Sequence, residues 1–254
     1  MQIKFQSANY EAAHFDKSCE NCPIRYRAVC AHCDAEDLEK LEKTKYYRDF
    51  RAGQVIVWSG DDMDFVASII EGVATLTQTL EDGRTQMVGL LMPSDFLGRP
   101  GRRIATFTVT AISDLQLCCF RRQPFEQMMR DNPRIPSRLL EMTLDELDAA
   151  REWLLVLGRK SAREKIASFL AILARRKAAL ANQQARGRIQ LSLPLTREAI
   201  ADYLGLTIET VSRQLTALKR DGLIEIEGKR GVVLTDFASL VLESGTDSDG
   251  GLIA

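Results

Sequence analysis

The segment between Pro136 and Lys160 limits the fold of this chain more than any other feature. Proline suits the first turn of a helix, and no glycine interrupts the segment before Gly158. Leucines recur every seven residues and further apolar residues follow three or four positions on, the spacing of one helix face. A helix of roughly 24 residues is about 36 Å long, too long for one small domain to cover. We predict that it pairs two chains, an ordinary amphipathic core helix being the alternative. The predicted seam consists of Leu140, Leu144, Leu147, Ala150, Leu154 and Leu157.

Length, apolar runs and cysteine content restrict the class of protein. A chain of 254 residues is long enough for one or two domains with their own cores. No apolar run reaches the length of a membrane span, and the N-terminus lacks an apolar signal segment. We therefore expect a cytoplasmic protein with no membrane partner. In that compartment, its six cysteines point to metal binding or redox chemistry before disulfides.

The net charge of −1 conceals a strong asymmetry along the chain. Residues 159–235 hold 15 Lys and Arg against 7 Asp and Glu, whereas the rest of the chain holds 19 basic and 28 acidic residues. A basic C-terminal part attached to an acidic body is the pattern expected of one nucleic-acid-binding domain.

The segment from 51 to 120 has the pattern of a β-domain. Short apolar or alternating runs are separated by turns, and Asp82-Gly83 is a good hairpin signal. Many short strands with glycine-containing turns predict a sandwich or small barrel. A helix over Asp37–Tyr46 is predicted before them, and a polar linker is predicted at 178–190. The predicted strands are Gln54–Trp58, Val66–Ile70, Val73–Leu80, Thr85–Leu91, Ile104–Ala111 and Leu115–Phe120.

The segment from Leu195 to Arg220 predicts a helix-turn-helix. Thr196 and Thr207 are suitable N-caps for two helices, and Gly205 permits a sharp turn between them. In this motif the N-terminal half of the second helix reaches base edges in the major groove. The side chains predicted to face the DNA are Glu209, Thr210, Ser212, Arg213 and Thr216.

The chemistry of this second helix suits base recognition. Arg213 can bind guanine with two hydrogen bonds, and Glu209 can accept from cytosine. The alternative is an ordinary surface ion pair between these two residues, which are four positions apart. Two short apolar runs then flank a basic glycine turn, which predicts a wing. At its tip, Lys229 and Arg230 are expected to meet phosphates, which adds affinity without sequence choice.

A strand-rich roll, a long helix and a winged helix-turn-helix together resemble the Crp–Fnr family of bacterial transcription regulators, over nearly the whole chain. The resemblance implies an α+β fold with an N-terminal antiparallel β-roll, a jelly roll like that of cyclic-nucleotide-binding domains. A long dimerisation helix and a C-terminal winged helix-turn-helix follow. The implied divisions are a cysteine-rich cluster-binding segment (1–35), a β-roll sensor domain (36–135), the dimerisation helix (136–160), the DNA-binding domain (161–242) and a disordered tail (243–254).

The run Glu209-Thr210-Val211-Ser212-Arg213 matches the Glu-x-x-Ser-Arg pattern of the Fnr branch. In that branch the Glu, Ser and Arg read a TTGAT-type half-site twice, as a palindrome. The resemblance therefore implies a homodimer whose partners are double-stranded DNA with a palindromic operator and RNA polymerase. We expect no enzyme, because no Ser/His/Asp or paired-carboxylate arrangement stands out.

The cysteine spacing indicates a metal centre. Cys19, Cys22 and Cys30 offer three thiolates from one polar segment, and Cys118 or Cys119 offers a fourth from the last predicted strand. Thiolates in this number suit an iron–sulfur cluster or zinc. Because adjacent strand residues face opposite ways, only one of the two central cysteines can serve.

The spacing C-x2-C-x7-C resembles a variant of the Fnr branch, whose sensors hold an oxygen-labile [4Fe–4S] cluster. The resemblance implies Cys19, Cys22, Cys30 and Cys118 as its ligands. A zinc site completed by Cys33 is one alternative, although the gap between the two CxxC pairs is short for it. The others are a thiol-controlled or FixK-like regulator without a cluster, and a thiol oxidoreductase that uses Cys19 and Cys22.

The segment 95–105 departs from the phosphate cassette of the family's cyclic-nucleotide receptors. That cassette contains a Gly-Glu and an Arg-Ser/Thr-Ala sequence. Here Arg99 follows Gly98, and Arg103 precedes Ile104-Ala105. We therefore predict that no cyclic nucleotide binds.

Overall fold

The computed structural model describes residues 18–245, so positions 1–17 and residues 246–254 of the predicted tail lie outside the described part. Helix α1 (Ala35–Thr44) precedes a roll of eight strands. These are β1 (Lys45–Phe50), β2 (Val55–Val57), β3 (Phe65–Glu71), β4 (Ala74–Thr79), β5 (Thr85–Leu91), β6 (Phe96–Leu97), β7 (Thr108–Ala111) and β8 (Leu115–Arg121). They form two four-stranded antiparallel sheets, ordered β1-β8-β3-β6 and β2-β7-β4-β5.

The core of the roll lies between these two sheets. On β3 and β8, Ile69, Leu117 and Cys119 face this core and are fully buried. The intervening residues Val66 and Cys118 face the other side, towards the N-terminal loop and the helices. Strand alternation thus places the two neighbouring central cysteines on opposite faces of one sheet.

Helix α2 (Arg122–Asp131) and the long α3 (Arg134–Arg159) follow the roll. Ile135 and Val156 are the buried residues of α3, whereas the leucines of the predicted seam are exposed, Leu154 by 73%. An apolar stripe left open along a long helix is the kind of surface that a second helix covers.

The C-terminal part is a winged helix-turn-helix built on α4. Phe169 and Leu170 of α4 pack with buried residues of the two motif helices, among them Leu204 and Leu218. No helix between residues 18 and 245 has the length and apolar character needed to cross a membrane. The elements are α4 (Ala162–Leu180), β9 (Ile189–Ser192), α5 (Arg197–Leu204), α6 (Ile208–Arg220), β10 (Ile224–Glu227), β11 (Gly231–Leu234) and α7 (Phe237–Glu243).

Several predicted boundaries are wrong. The helix predicted over Asp37–Tyr46 ends at Thr44, because the next six residues pair with β8 over the whole length of β1. The strand predicted over Ile104–Ala111 is confined to its last four residues. The predicted linker 178–190 is shortened at both ends by α4 and β9. In each case pairing with a distant segment decided a boundary that local pattern alone left open.

Candidate metal centre and nucleic-acid interface

Residues 18–33 form a compact loop of turns that carries four cysteines. The Arg25 N–H donates to Cys22 O at 2.9 Å, and the Cys33 N–H donates to Cys30 O at 3.1 Å. The Arg25 side chain is buried, and its guanidinium donates to the carbonyl oxygens of Cys30 and Cys33, each at 2.7 Å. A buried cation therefore holds the loop closed by satisfying carbonyls that no regular element pairs.

The loop packs on the face of the β3–β8 pair that carries Cys118. Burial raises the pKa of the Cys118 thiol well above its ordinary value, and negative charge on Cys22, Cys30 and Cys19 raises it further. Burial likewise raises the pKa of Cys30 to about 11, with Cys22 adding to the effect. These four cysteines lie in two adjoining apolar clusters that share Cys30 and Cys118.

Of the other two cysteines, Cys33 belongs to the same apolar cluster as Cys19, Cys30 and Cys118. Burial raises the pKa of Cys33 to about 12, and the charges of Cys30 and Asp37 add to it at the start of α1. Cys119 lies in the roll core, where burial raises its pKa to about 12. Within residues 18–245, no group of three or more His, Cys, Asp or Glu side chains is arranged so that it could hold a metal ion.

Ser68 shows what kind of group the pocket would accept. It pairs directly with Cys118 across β3 and β8, and paired side chains share a sheet face. Its Oγ is buried and has no hydrogen-bond partner among the described residues, a condition that costs about 1–3 kcal/mol. A sulfur acceptor beside Cys118 would satisfy this donor. Four cysteines in adjoining apolar clusters beside an orphaned hydroxyl are the type of donor set that suits an iron–sulfur cluster, although their side chains are not arranged to hold a single metal ion.

Cys19 is held at the junction of α1 and β1. Its N–H donates to Glu42 Oε2 at 3.2 Å, and Lys45 Nζ donates to its Sγ at 3.2 Å. Burial lowers the pKa of Lys45, but hydrogen bonds to Tyr47 and Cys19 outweigh it and raise the pKa above its ordinary value. Lys45 and Ser68 were not predicted from the sequence, since nothing in their spacing relates them to the cysteines, and Arg25 was not predicted because its burial depends on the folded loop.

The cysteine loop is bonded directly to the first half of α3. Arg138 Nη2 donates to the carbonyl oxygen of Arg27 at 2.7 Å. Arg134 pairs with Asp34 at 2.6 Å and with Asp37 at 2.9 Å, just beyond the loop. These contacts join the loop and the start of α1 to the helix that carries the exposed leucine seam.

The helix-turn-helix forms from local signals. Thr196 Oγ1 accepts from the Ala199 N–H at 3.1 Å, which caps α5, and Thr207 Oγ1 accepts from the Thr210 N–H at 3.2 Å, which caps α6. Gly205 ends α5 at a φ of 61°, a left-handed conformation that glycine adopts without a Cβ clash. Both predicted N-caps and the predicted turn are confirmed.

The residues predicted to read DNA lie on the solvent side of α6, away from its buried stripe of Val211, Leu215 and Leu218. Arg213 Nη2 donates to Thr210 Oγ1 at 3.4 Å, and Arg197 Nη1 donates to Ser212 Oγ at 3.2 Å. Glu209, Arg213 and Thr216 are exposed, while Thr210 and Ser212 are half-buried. At the wing between β10 and β11, Lys229 and Arg230 are exposed.

A cavity of about 920 Å³ lies between the roll, α3 and α4. Gly98, Arg99 and Arg103 from the segment that departs from the phosphate cassette line part of it. The Arg103 guanidinium donates through Nε to Asp62 Oδ1 at 3.2 Å. The charge of Arg103 is therefore already paired with a carboxylate of the protein. We keep the prediction that no cyclic nucleotide binds.

Comparison with known proteins decides the family. A Crp-like helix-turn-helix domain matches residues 164–242, and a cyclic nucleotide-binding domain matches residues 47–132. The transcriptional activator protein FnrL of Cereibacter sphaeroides is 67% identical over 234 residues, which covers 92% of this chain and 94% of that protein. The chain belongs to the Crp–Fnr family of transcription regulators. It is thus a regulator with a DNA-binding helix-turn-helix domain and not an enzyme.

Other transcription regulators are similar to this chain over most of their length. The nitrogen fixation regulation protein FixK of Bradyrhizobium diazoefficiens is 39% identical over 208 residues, covering 82% of this chain and 86% of its own length. The structure of FixK2 from Bradyrhizobium japonicum has a TM-score of 0.68 at 30% identity, covering 77% of this chain and 95% of that chain. The predicted fold class is confirmed.

Proposed function

We propose that this chain is an oxygen-responsive transcriptional activator of the Fnr type that binds a [4Fe–4S] cluster through Cys19, Cys22, Cys30 and Cys118. The observation that carries the proposal is the approach of Cys118 to three cysteines of a distant loop, in an apolar pocket where thiolates are costly. Metal coordination stabilises such thiolates. When bound, the cluster supplies a redox-active core that ties the loop to β8.

The contacts between the loop and α3 support a route from the cysteines to the DNA. Arg134 and Arg138 link the first half of α3 to the loop and to the start of α1. With the loop tied to β8, α3 is held in one position and its leucine seam can pair with a second chain. Without the tie, only packing and hydrogen bonds hold the loop, and the population shifts towards monomer.

Two paired chains would present two α6 helices about one DNA turn apart. Each would read a TTGAT-type half-site of a palindromic operator with Glu209, Ser212 and Arg213. The remaining DNA contacts are assigned to Thr210, Thr216, Lys229 and Arg230. We further propose that the bound dimer works with RNA polymerase in the cytoplasm, as expected of an activator similar to FnrL.

Anaerobic purification with iron and sulfide assay tests the cluster. We expect coloured wild-type protein with about four iron atoms per chain, and Cys118→Ala without them. Cys119→Ala is the matched control, because that thiol faces the roll core, and it should retain iron. Colourless, iron-free wild-type protein that still binds the palindrome would overturn the proposal.

A FixK-like regulator without a cluster is the second candidate, favoured by the likeness to FixK and FixK2. It predicts DNA binding that neither air nor a chelator changes. A zinc-binding regulator would instead yield colourless protein that contains zinc and loses it in Cys33→Ala. Metal analysis of the purified chain separates these cases from the cluster.

A further inference from the structure

The geometry around Cys19 points to Lys45 as the charge-compensating donor of the metal centre, a residue that sets its reduction potential and its lifetime in air. This inference rests on the proposed cluster and adds a residue that is not a ligand. Lys45 acts through Cys19 and is therefore a positioning and tuning residue.

The position of Lys45 is determined by the end of α1 and the start of β1. Its Nζ donates to Cys19 Sγ at 3.2 Å and lies 5.5 Å from the centre of the Tyr47 ring. Glu42, one turn earlier in the chain, accepts from the Cys19 N–H at 3.2 Å. The backbone and the sulfur of Cys19 are therefore both held by the same short segment, which fixes the sulfur beside a cation.

The charge of the pocket explains why this cation matters. Four thiolates would lie among apolar side chains such as Ile24, Ala28 and Ile70. The other nearby cation, Arg25, directs its guanidinium to backbone carbonyls of the loop. An ammonium hydrogen bond to a thiolate belongs to the strong, charge-assisted class. A positive charge beside a sulfur ligand favours the more negative, reduced state of an iron–sulfur centre.

Four variants test the inference in the full chain, reconstituted without air. Lys45→Met should make the midpoint potential more negative and should speed the loss of cluster absorbance in air by about threefold or more. Lys45→Arg keeps the charge and should restore both values towards wild type. Lys43→Met is the matched control, because Lys43 is exposed and bonded to Glu39 at 2.7 Å, and it should behave as wild type.

The fourth variant, Lys45→Gln, removes the charge but keeps a hydrogen-bond donor, so it separates the two effects. It also replaces Lys45→Met as the test variant if Lys45→Met takes up no iron. A wild-type potential and lifetime in Lys45→Gln would overturn the role of the charge. A wild-type chain that binds no cluster would instead refute the proposed function itself. A loaded wild type with unchanged Lys45→Met properties would refute only the inference.

Discussion

We propose that single side chains of the C-terminal domain make two kinds of contact with DNA. Arg213 is exposed in the N-terminal half of α6, whose first turn is set by the Thr207 cap. Lys229 is exposed at the wing, away from the reading helix. Guanidinium groups on a recognition helix can select a base, whereas wing lysines contact phosphate. The two residues should therefore differ in specificity more than in affinity.

Arg213→Ala should cost about 1–3 kcal/mol of binding to a palindromic TTGAT-type duplex and should reduce the preference for it over a scrambled duplex. Lys229→Ala is the comparison, and it should weaken binding to both duplexes alike. Fluorescence anisotropy with each duplex at two salt concentrations measures the difference. If Arg213→Ala lost the same affinity for both duplexes, base reading by this residue would be refuted.

At the scale of elements, a single chain buries only part of the apolar surface of α3. Its buried residues, Ile135 and Val156, lie near its two ends. Leu140 is 59% exposed and Leu154 is 73% exposed. Burying a leucine side chain stabilises a protein by about 1.5–3 kcal/mol. Packing of a second helix against these leucines would therefore be favourable.

Leu154→Glu should therefore shift the cluster-loaded protein from dimer to monomer while the monomer stays folded. The new carboxylate would be buried without a partner in the pair, but it would be hydrated in the single chain. Light scattering under anaerobic conditions measures the mass. Leu242→Glu on α7, where the leucine is 66% exposed, is the control and should stay dimeric. A dimer in both variants would place the interface elsewhere.

At the scale of the molecule, the winged domain is docked on the roll and on α3. The rings of Trp153 on α3 and Tyr203 on α5 lie 4.6 Å apart. Arg176 Nη1 on α4 pairs with Asp95 Oδ2 in the roll at 2.6 Å. These contacts join the winged domain to α3 and to the roll, so loss of one should loosen the two parts from each other.

Trp153→Ala should lower the free energy of unfolding by about 2 kcal/mol, since it removes the aromatic pair together with buried area. We expect the two halves of the chain to unfold at more widely separated urea concentrations. Trp58→Ala, in which the lost ring is 59% exposed, should change stability by no more than about 0.5 kcal/mol. Circular dichroism during urea unfolding compares both variants, and equal effects would argue against this docking contact.

Local chemistry in the sequence was enough to determine the helix-turn-helix. Thr196 and Thr207 cap their helices through bonds to residues three positions on, and Gly205 makes a turn that depends on its own φ. The heptad leucines likewise determined α3, because helical periodicity is a property of near neighbours. Such signals lie within a few residues of one another and can be read without the fold.

Tertiary structure decided what depends on distant partners. Lys45 begins a strand only because β8 offers backbone groups to pair with, and that pairing brings its ammonium to Cys19. Ser68 likewise meets Cys118 only through the pairing of β3 with β8. A single sequence carries no mark of such contacts, because their energy arises only when folding brings remote segments together.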